Sequence, residues 1–390
     1  MRPYDIGVSF SLYVHIPYCQ AKCPYCDFNS YAASAWPETD YTQALIAELA
    51  RRSTEAPFRG QTLKTIFFGG GTPSLFAPPS IGAVLETAAK FFGIESDAEI
   101  TLEANPGTVT AEKLSGFRAA GVNRLSFGAQ SFDNATLRFL GRIHDADQTR
   151  EAARLAHAAG FERLNLDLIF AVPGQSVAGV VRDIAEAAAL EPDHVSAYNL
   201  TFEEGTAFFT DMRRGRIKPL ANDEQARQYE AVRQELPRRG YAMYEISNYA
   251  RPGHEARHNL TYWRAETYLG LGAGAHSFAL GGESYGRRWW NERNPARYIE
   301  RVLKDGLAEA GHELIEERVG QSEFVFLNLR LREGFARDDF RGRFGRDFDE
   351  VFGARAARLF EGGLLEQSGG RVRLTDRGLE LADSVFAEFV

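Results

Sequence analysis

The sequence predicts an α/β protein, in which consecutive parallel βαβ units curl into a barrel or partial barrel and a small helical module follows. Three observations carry this prediction. A helix, a capping glycine and a short apolar strand recur; nearly every strand ends in polar or glycine residues; and the texture changes after about residue 313. Glycine marks helix ends because it enters the left-handed conformation without a Cβ penalty. Ala119-Ala120-Gly121-Val122-Asn123-Arg124-Leu125 is echoed 39 residues on by Ala158-Ala159-Gly160-Phe161-Glu162-Arg163-Leu164, and more weakly by Arg239-Gly240-Tyr241-Ala242. The unit between them is a helix predicted over 177–190 and a strand over 194–199. Earlier strands are predicted over 12–16, 65–68 and 99–103. Strands alternating with helices at this spacing run parallel. The polar strand ends at His15, residues 69–72, Glu103, Gln130 and Asp167 favour a barrel, where functional groups gather at the C-terminal ends of strands.

Beyond residue 313 the pattern predicts helices over 316–332, 338–343 and 349–361, a hairpin over 364–374 with a Ser-Gly-Gly turn, and a final helix from Asp376. Helices followed by a small hairpin make a winged-helix-like module. Such modules often bind DNA, but this one holds 12 Arg or Lys against 16 Asp or Glu, so packing or partner contact is expected instead. The expected division is 1–240 for the barrel, 241–312 for a barrel-completing substrate region, and 313–390 for the C-terminal module.

With 44% hydrophobic and 25% charged residues, the composition is that of an ordinary globular protein. A net charge of −8 argues against a dedicated nucleic-acid binder. No stretch approaches the ~20 apolar residues of a transmembrane helix, and no signal peptide is visible. All three cysteines fall in the window Cys19-Gln20-Ala21-Lys22-Cys23-Pro24-Tyr25-Cys26. Thiols without a framework of pairs fit a reducing cytoplasm.

Thiolate suits zinc, copper(I) and iron–sulfur clusters. An iron–sulfur cube usually takes four cysteines, so three leave one iron without a protein ligand, and an open position separates a catalytic from a structural metal site. Zinc on the three cysteines and His15 is an alternative, although such sites usually pair two knuckles. A dithiol at Cys23 and Cys26 is another, which leaves Cys19 unexplained. The Cys-x3-Cys-x2-Cys spacing, with Tyr13-Val14-His15-Ile16-Pro17-Tyr18 before it and Asp27-Phe28-Asn29 after it, resembles the radical S-adenosylmethionine (radical SAM) enzymes. That resemblance implies a partial (β/α)6 barrel, with a [4Fe–4S] cluster on Cys19, Cys23 and Cys26 in the loop after the first strand. It also implies S-adenosylmethionine on the open iron, cleaved by one electron to a 5′-deoxyadenosyl radical, with the protein positioning the cofactor and excluding water.

The run Phe67-Phe68-Gly69-Gly70-Gly71-Thr72-Pro73-Ser74 lacks the lysine of a phosphate loop and the GxGxxG spacing, and alone serves equally as a tight turn. The resemblance implies that Gly70, Gly71 and Thr72 contact S-adenosylmethionine, glycine being needed for close backbone approach. Glu103, Gln130, Arg142 and Asp167 could each be structural in isolation. Together they resemble the anaerobic coproporphyrinogen oxidase branch. The match implies that Tyr13, Tyr25, Glu103, Gln130, Arg142 and Asp167 line the cofactor site, Arg142 pairing with its carboxylate and the acids accepting from ribose hydroxyls.

The oxidases of that branch carry a fourth cysteine two residues after the third, where this chain has Phe28, and a long N-terminal extension, where twelve residues precede Tyr13. His258-Asn259-Leu260-Thr261-Tyr262-Trp263 resembles the His-Asn-x-x-Tyr-Trp motif of the HemW group of haem chaperones. A haem site at His258, Tyr262 and Trp263 is implied, imidazole being a common axial ligand. A buried polar role explains His258 as well, and His276 is the next candidate. The implied function is to hold haem and deliver it to apo-haemoproteins such as respiratory enzymes, with an electron donor; peripheral membrane contact and a homodimer are compatible. The rivals are oxygen-independent coproporphyrinogen III oxidase, an oxidoreductase that decarboxylates propionates, and a haem carrier whose cluster serves only dimerisation or redox sensing.

Overall fold

Apolar residues on both faces of its strands commit this chain to a sheet covered on both sides, as parallel sheets require. The computed structural model describes residues 9–281 and 285–390. Residues 1–8, most of the segment before Tyr13, lie outside the described residues.

Strand β1 (Ser9–Ile16) leads into the cysteine loop, which is bracketed by the short parallel pair β2 (Tyr18–Cys19) and β3 (Tyr31–Ala32). Strands β4 (Thr62–Gly70), β5 (Ile94–Ala104), β6 (Arg124–Gln130), β7 (Arg163–Phe170) and β8 (His194–Asn199) follow, joined by helices such as Pro78–Phe92, Ala146–Ala158 and Val177–Ala189. They lie side by side in chain order, all parallel, as expected of βαβ units.

The third glycine echo departs from the expectation. β9 (Ala242–Glu245) turns within two residues into β10 (Asn248–Ala250), and so tight a link allows only antiparallel pairing. β10 then pairs antiparallel with β8, which ends the parallel series on that side. On the other side β11 (Tyr268–Leu271) runs parallel to β1, and β12 (His276–Ala279), β13 (Arg287–Asn291) and β14 (Glu309–Leu314) extend the sheet antiparallel. The order is β14-β13-β12-β11-β1-β4-β5-β6-β7-β8-β10-β9.

The C-terminal segment has its own apolar core, dominated by phenylalanines including Phe324, Phe335, Phe340, Phe348 and Phe352. Helices Glu317–Leu329, Arg337–Phe344 and Phe348–Glu361 surround a small sheet of β15 (Phe335–Ala336), β16 (Leu365–Ser368) and β17 (Arg371–Leu374). The expected final helix is broken at Leu381 into Asp376–Glu380 and Ala382–Ala387. Among the described residues no helix is long and apolar enough to cross a membrane.

One buried acid ties the first helix to the sheet. Glu48, on helix Glu38–Arg52, accepts from Tyr298 Oη at 2.7 Å, Asn291 Nδ2 at 2.7 Å and the Gly272 amide at 3.1 Å. Burial pushes its carboxyl above the usual range, and nearby Arg52 opposes the shift. From the same helix Tyr41 donates to the His15 carbonyl and accepts from the Ala273 amide, both at 2.8 Å. Glu48→Ala would strand three buried donors and should destabilise the fold by about 3 kcal/mol; Glu48→Gln should cost visibly less. Urea denaturation checks both, and a Glu48→Ala midpoint equal to the parent's would show that the carboxylate bears no such load.

Candidate cluster and cofactor site

Strands β4 to β8 send their C-terminal residues into one cavity of about 1190 Å3, which the three cysteines also line. Cys19, Cys23 and Cys26 are half-buried and unpaired. Among the described residues no three His, Cys, Asp or Glu side chains are set to share a single metal ion. Each sulfur has a polar neighbour: Thr72 Oγ1 lies 3.5 Å from Cys19 Sγ, Arg142 Nη1 3.4 Å from Cys23 Sγ and Ser30 Oγ 3.8 Å from Cys26 Sγ. Burial pushes the Cys19 and Cys26 thiols up, against the opposing hydrogen bonds from Thr72 to Cys19 and from the Phe28 amide and Ser30 to Cys26. Hydrogen bonds to sulfur are a lever on cluster potential.

The loop is latched at both ends. Lys22 donates to the Phe28 and Ser30 carbonyls, both at 3.0 Å. Asn29 Nδ2 donates to the Ala273 and Arg293 carbonyls at 2.9 and 3.0 Å. His15 Nε2 donates to the Asn29 carbonyl at 2.9 Å, which leaves Nδ1 to accept from Tyr13 Oη at 2.9 Å. Opposite the loop, a Cβ on Gly141 would stand 2.6 Å from Pro24 Cδ, so this glycine lets residues 140–144 pack on the loop.

The glycine run also meets a requirement set by the protein's own packing. Its crowding comes from the protein itself: a Cβ on Gly70 would overlap the His15 ring, and one on Gly71 would lie 2.6 Å from the Tyr18 carbonyl oxygen. The amides of Gly70, Gly71 and Thr72 donate to Glu103 Oε2, the Ile16 carbonyl and the Tyr18 carbonyl at 3.1, 2.8 and 2.9 Å. With its amides engaged, the segment can offer a ligand's ammonium group its carbonyl oxygens and the Thr72 hydroxyl.

Glu103 and Asp167 are both deeply placed, and burial followed by the nearby Asp167 lifts the Glu103 carboxyl to about 8. Burial also raises Asp167, which accepts from Asn165 Nδ2 at 2.8 Å and Ser126 Oγ at 3.3 Å. Arg142 Nη2 donates to the Gly128 carbonyl at 2.8 Å, and its buried Nε has no partner. Gln130, at φ 67°, lines the cavity beside it, as does Tyr25, whose hydroxyl burial pushes up. Tyr13 lies outside this cavity, in an adjoining pocket that shares Gly70, Glu103 and Phe28 with it.

Sequence reasoning missed the cavity floor. Glu103, Ser126, Asn165 and His194 are register partners across β5 to β8. Asn165 donates to Ser126 Oγ at 2.8 Å and accepts from His194 Nδ1 at 2.6 Å, while His194 Nε2 accepts from Tyr244 Oη at 2.8 Å. Only the strand register brings these residues together. Residues 379–384, beside the helix break, also line the cavity, although the C-terminal module had been assigned only to packing or partner contact.

The aromatic-histidine motif splits apart. His258 is buried, with Nδ1 2.7 Å from Thr65 Oγ1, Nε2 2.8 Å from Tyr262 Oη, and its ring stacked on Phe67. With both nitrogens engaged, it presents no lone pair to a cavity. Tyr262 lines the adjoining pocket. Trp263 lines neither of these two cavities and instead carries Arg330 over its ring at 4.4 Å.

The radical SAM superfamily profile matches residues 13–187, and the HemN C-terminal domain profile matches residues 321–381. The chain is 37% identical over 382 residues to the haem chaperone HemW of Bacillus subtilis (strain 168), covering 97% of this chain and 99% of that one. It is 36% identical over 383 residues to HemW of Escherichia coli (strain K12), covering 97% and 98%. The chain belongs to the HemW family of radical SAM proteins. Coproporphyrinogen III oxidase (HemN) from Escherichia coli, a radical SAM enzyme, shares the fold at a TM-score of 0.83 over 98% of this chain and 90% of that one, with 24% identity.

The groups a radical SAM protein carries fit this site on two observations. The three thiols open on one cavity, each beside a polar group, and the orphan Arg142 Nε and the two raised acids await partners of opposite charge.

Gly71→Ala should force the backbone at Pro17 and Tyr18 aside, next to Cys19, and lower the iron retained after anaerobic reconstitution. Gly82→Ala, whose Cβ would have only an ordinary contact at 3.6 Å, should not. Equal iron in both would show that the crowding at Gly71 relaxes harmlessly.

S-adenosylmethionine brings positive charge, which favours ionised Glu103. Its affinity should therefore rise as pH climbs toward about 8, with proton release on binding. Glu103→Gln should flatten the profile. Calorimetry across pH checks this, and identical profiles in the two proteins would remove Glu103 from the site.

Proposed function

We propose that the chain carries a [4Fe–4S] cluster on Cys19, Cys23 and Cys26, binds S-adenosylmethionine against it, and holds haem for delivery to apo-haemoproteins. Gly70, Gly71, Thr72, Glu103, Gln130, Arg142 and Asp167 would hold the cofactor, with Tyr25 at its edge and Tyr13 acting through His15. When bound, the cluster and cofactor supply one-electron radical chemistry. The chain's own residues orient the ligand: acids meet its cationic end, Arg142 its carboxylate, and the polar floor from Ser126 to His194 its hydroxyl groups.

The observation that carries the haem reading is Phe28. It stands two residues beyond Cys26, is 60% exposed, and lines both the cluster cavity and the aromatic pocket beside it. An exposed ring there offers a flat apolar face, not a fourth sulfur ligand. The names of the HemW relatives support haem as cargo, and the free thiols support a cytoplasmic setting with an electron donor. Residues 1–240 and 241–312 would form the cofactor- and haem-handling unit, and 313–390 a module that closes the cavity mouth through residues 379–384.

Anaerobically reconstituted protein should contain about four iron and four sulfide per chain, bind haem, and leave coproporphyrinogen III unchanged when given reductant and S-adenosylmethionine. Zinc without sulfide would overturn the cluster, and measurable decarboxylation would promote the oxidase reading.

A further inference from the structure

We infer that the pocket beside the cluster loop seats the iron porphyrin, with His276 as an axial ligand to its iron. This rests on the haem reading above and gives it a place. The pocket encloses about 420 Å3, within the ordinary range for cofactor sites. The histidines select the ligand. His15, His144, His194 and His258 each have both ring nitrogens in hydrogen bonds. His157 is held by the Leu190 carbonyl, and His254 and His312 face Asp193 and Glu309. Among the described residues only His276 has neither a hydrogen bond nor a carboxylate neighbour on its ring nitrogens, and it is exposed at the pocket wall.

The surroundings suit a macrocycle. His276 and Trp290 are register partners on β12 and β13, stacked at 5.9 Å and 29°, which fixes the imidazole plane. Tyr268 and Tyr262 add a second aromatic pair, edge to face at 4.8 Å, and Phe28 closes the side shared with the cluster cavity. Arg293 sits exposed at the rim, with no ion pair on its guanidinium among the described residues, placed to meet a propionate carboxylate. His258 could serve only by giving up Thr65, Tyr262 and its stack on Phe67.

The test titrates hemin into cluster-loaded, full-length protein under anaerobic conditions and follows the difference spectrum. His276→Ala should shift the Soret band and weaken binding by about tenfold or more, and added imidazole should restore the wild-type band. Phe28→Ala should weaken binding without moving the band. A His276→Ala spectrum and affinity equal to wild type would overturn this site while leaving haem binding intact. Wild-type protein that takes up no hemin would overturn the haem reading itself, and the site with it.

Discussion

The site depends on a steric constraint: no side chain fits where strands β1 and β4 end side by side. His15 pairs with Gly69 and Ile16 with Gly70 in the ladder, and Gly71 then lies against the Pro17–Tyr18 backbone. Gly70 takes a φ of 113°, which L side chains rarely adopt. The close approach lets the Gly71 and Thr72 amides reach carbonyls of the chain entering the cysteine loop, and sets the Thr72 hydroxyl beside Cys19. The cysteine loop is therefore an extension of the barrel, not a flexible insertion. Its far end is held as firmly, because Asn29 reaches the turn after β11 and the end of β13.

A second theme is unbalanced charge at the centre. Glu103 and Asp167 stand near each other in the cavity wall, and Arg124 is the cation close enough to oppose their raised pKa values. Ionising an under-compensated buried carboxylate costs several kcal/mol, so without a ligand protons stay on the acids to a higher pH. A cationic ligand reverses that balance. Arg142 is the counterpart across the cavity, with one nitrogen on a cysteine sulfur, one on a carbonyl and one without a partner.

Much of this was legible in the sequence, for physical reasons. The cysteine spacing is local, and the helix–glycine–strand repeat reports chain direction through helix caps, so the parallel strands and the cysteine loop after the first of them could be read directly. Wherever long-range packing decides, the reading failed. Gly240 has the same local signature as Gly160, yet a two-residue turn after Glu245 reverses the chain and breaks the parallel series. Asn165 and His194 look like unremarkable strand residues until the register sets them beside Ser126 and Glu103. His258 carried the sequence motif, but its partners Thr65 and Phe67 come from a strand nearly two hundred residues away. Its conversion from candidate ligand to packed core group could not be seen in one dimension.

The central claim is that three thiols, held by the β1–β4 clamp, leave one iron of a cube open toward the Glu103 side of the cavity. Mössbauer spectroscopy of protein reconstituted with 57Fe, recorded before and after S-adenosylmethionine is added, tests it most directly. About one quarter of the iron signal should shift on addition, because one iron in a four-iron cube lacks a cysteine ligand. A spectrum that the cofactor leaves wholly unchanged would contradict the account.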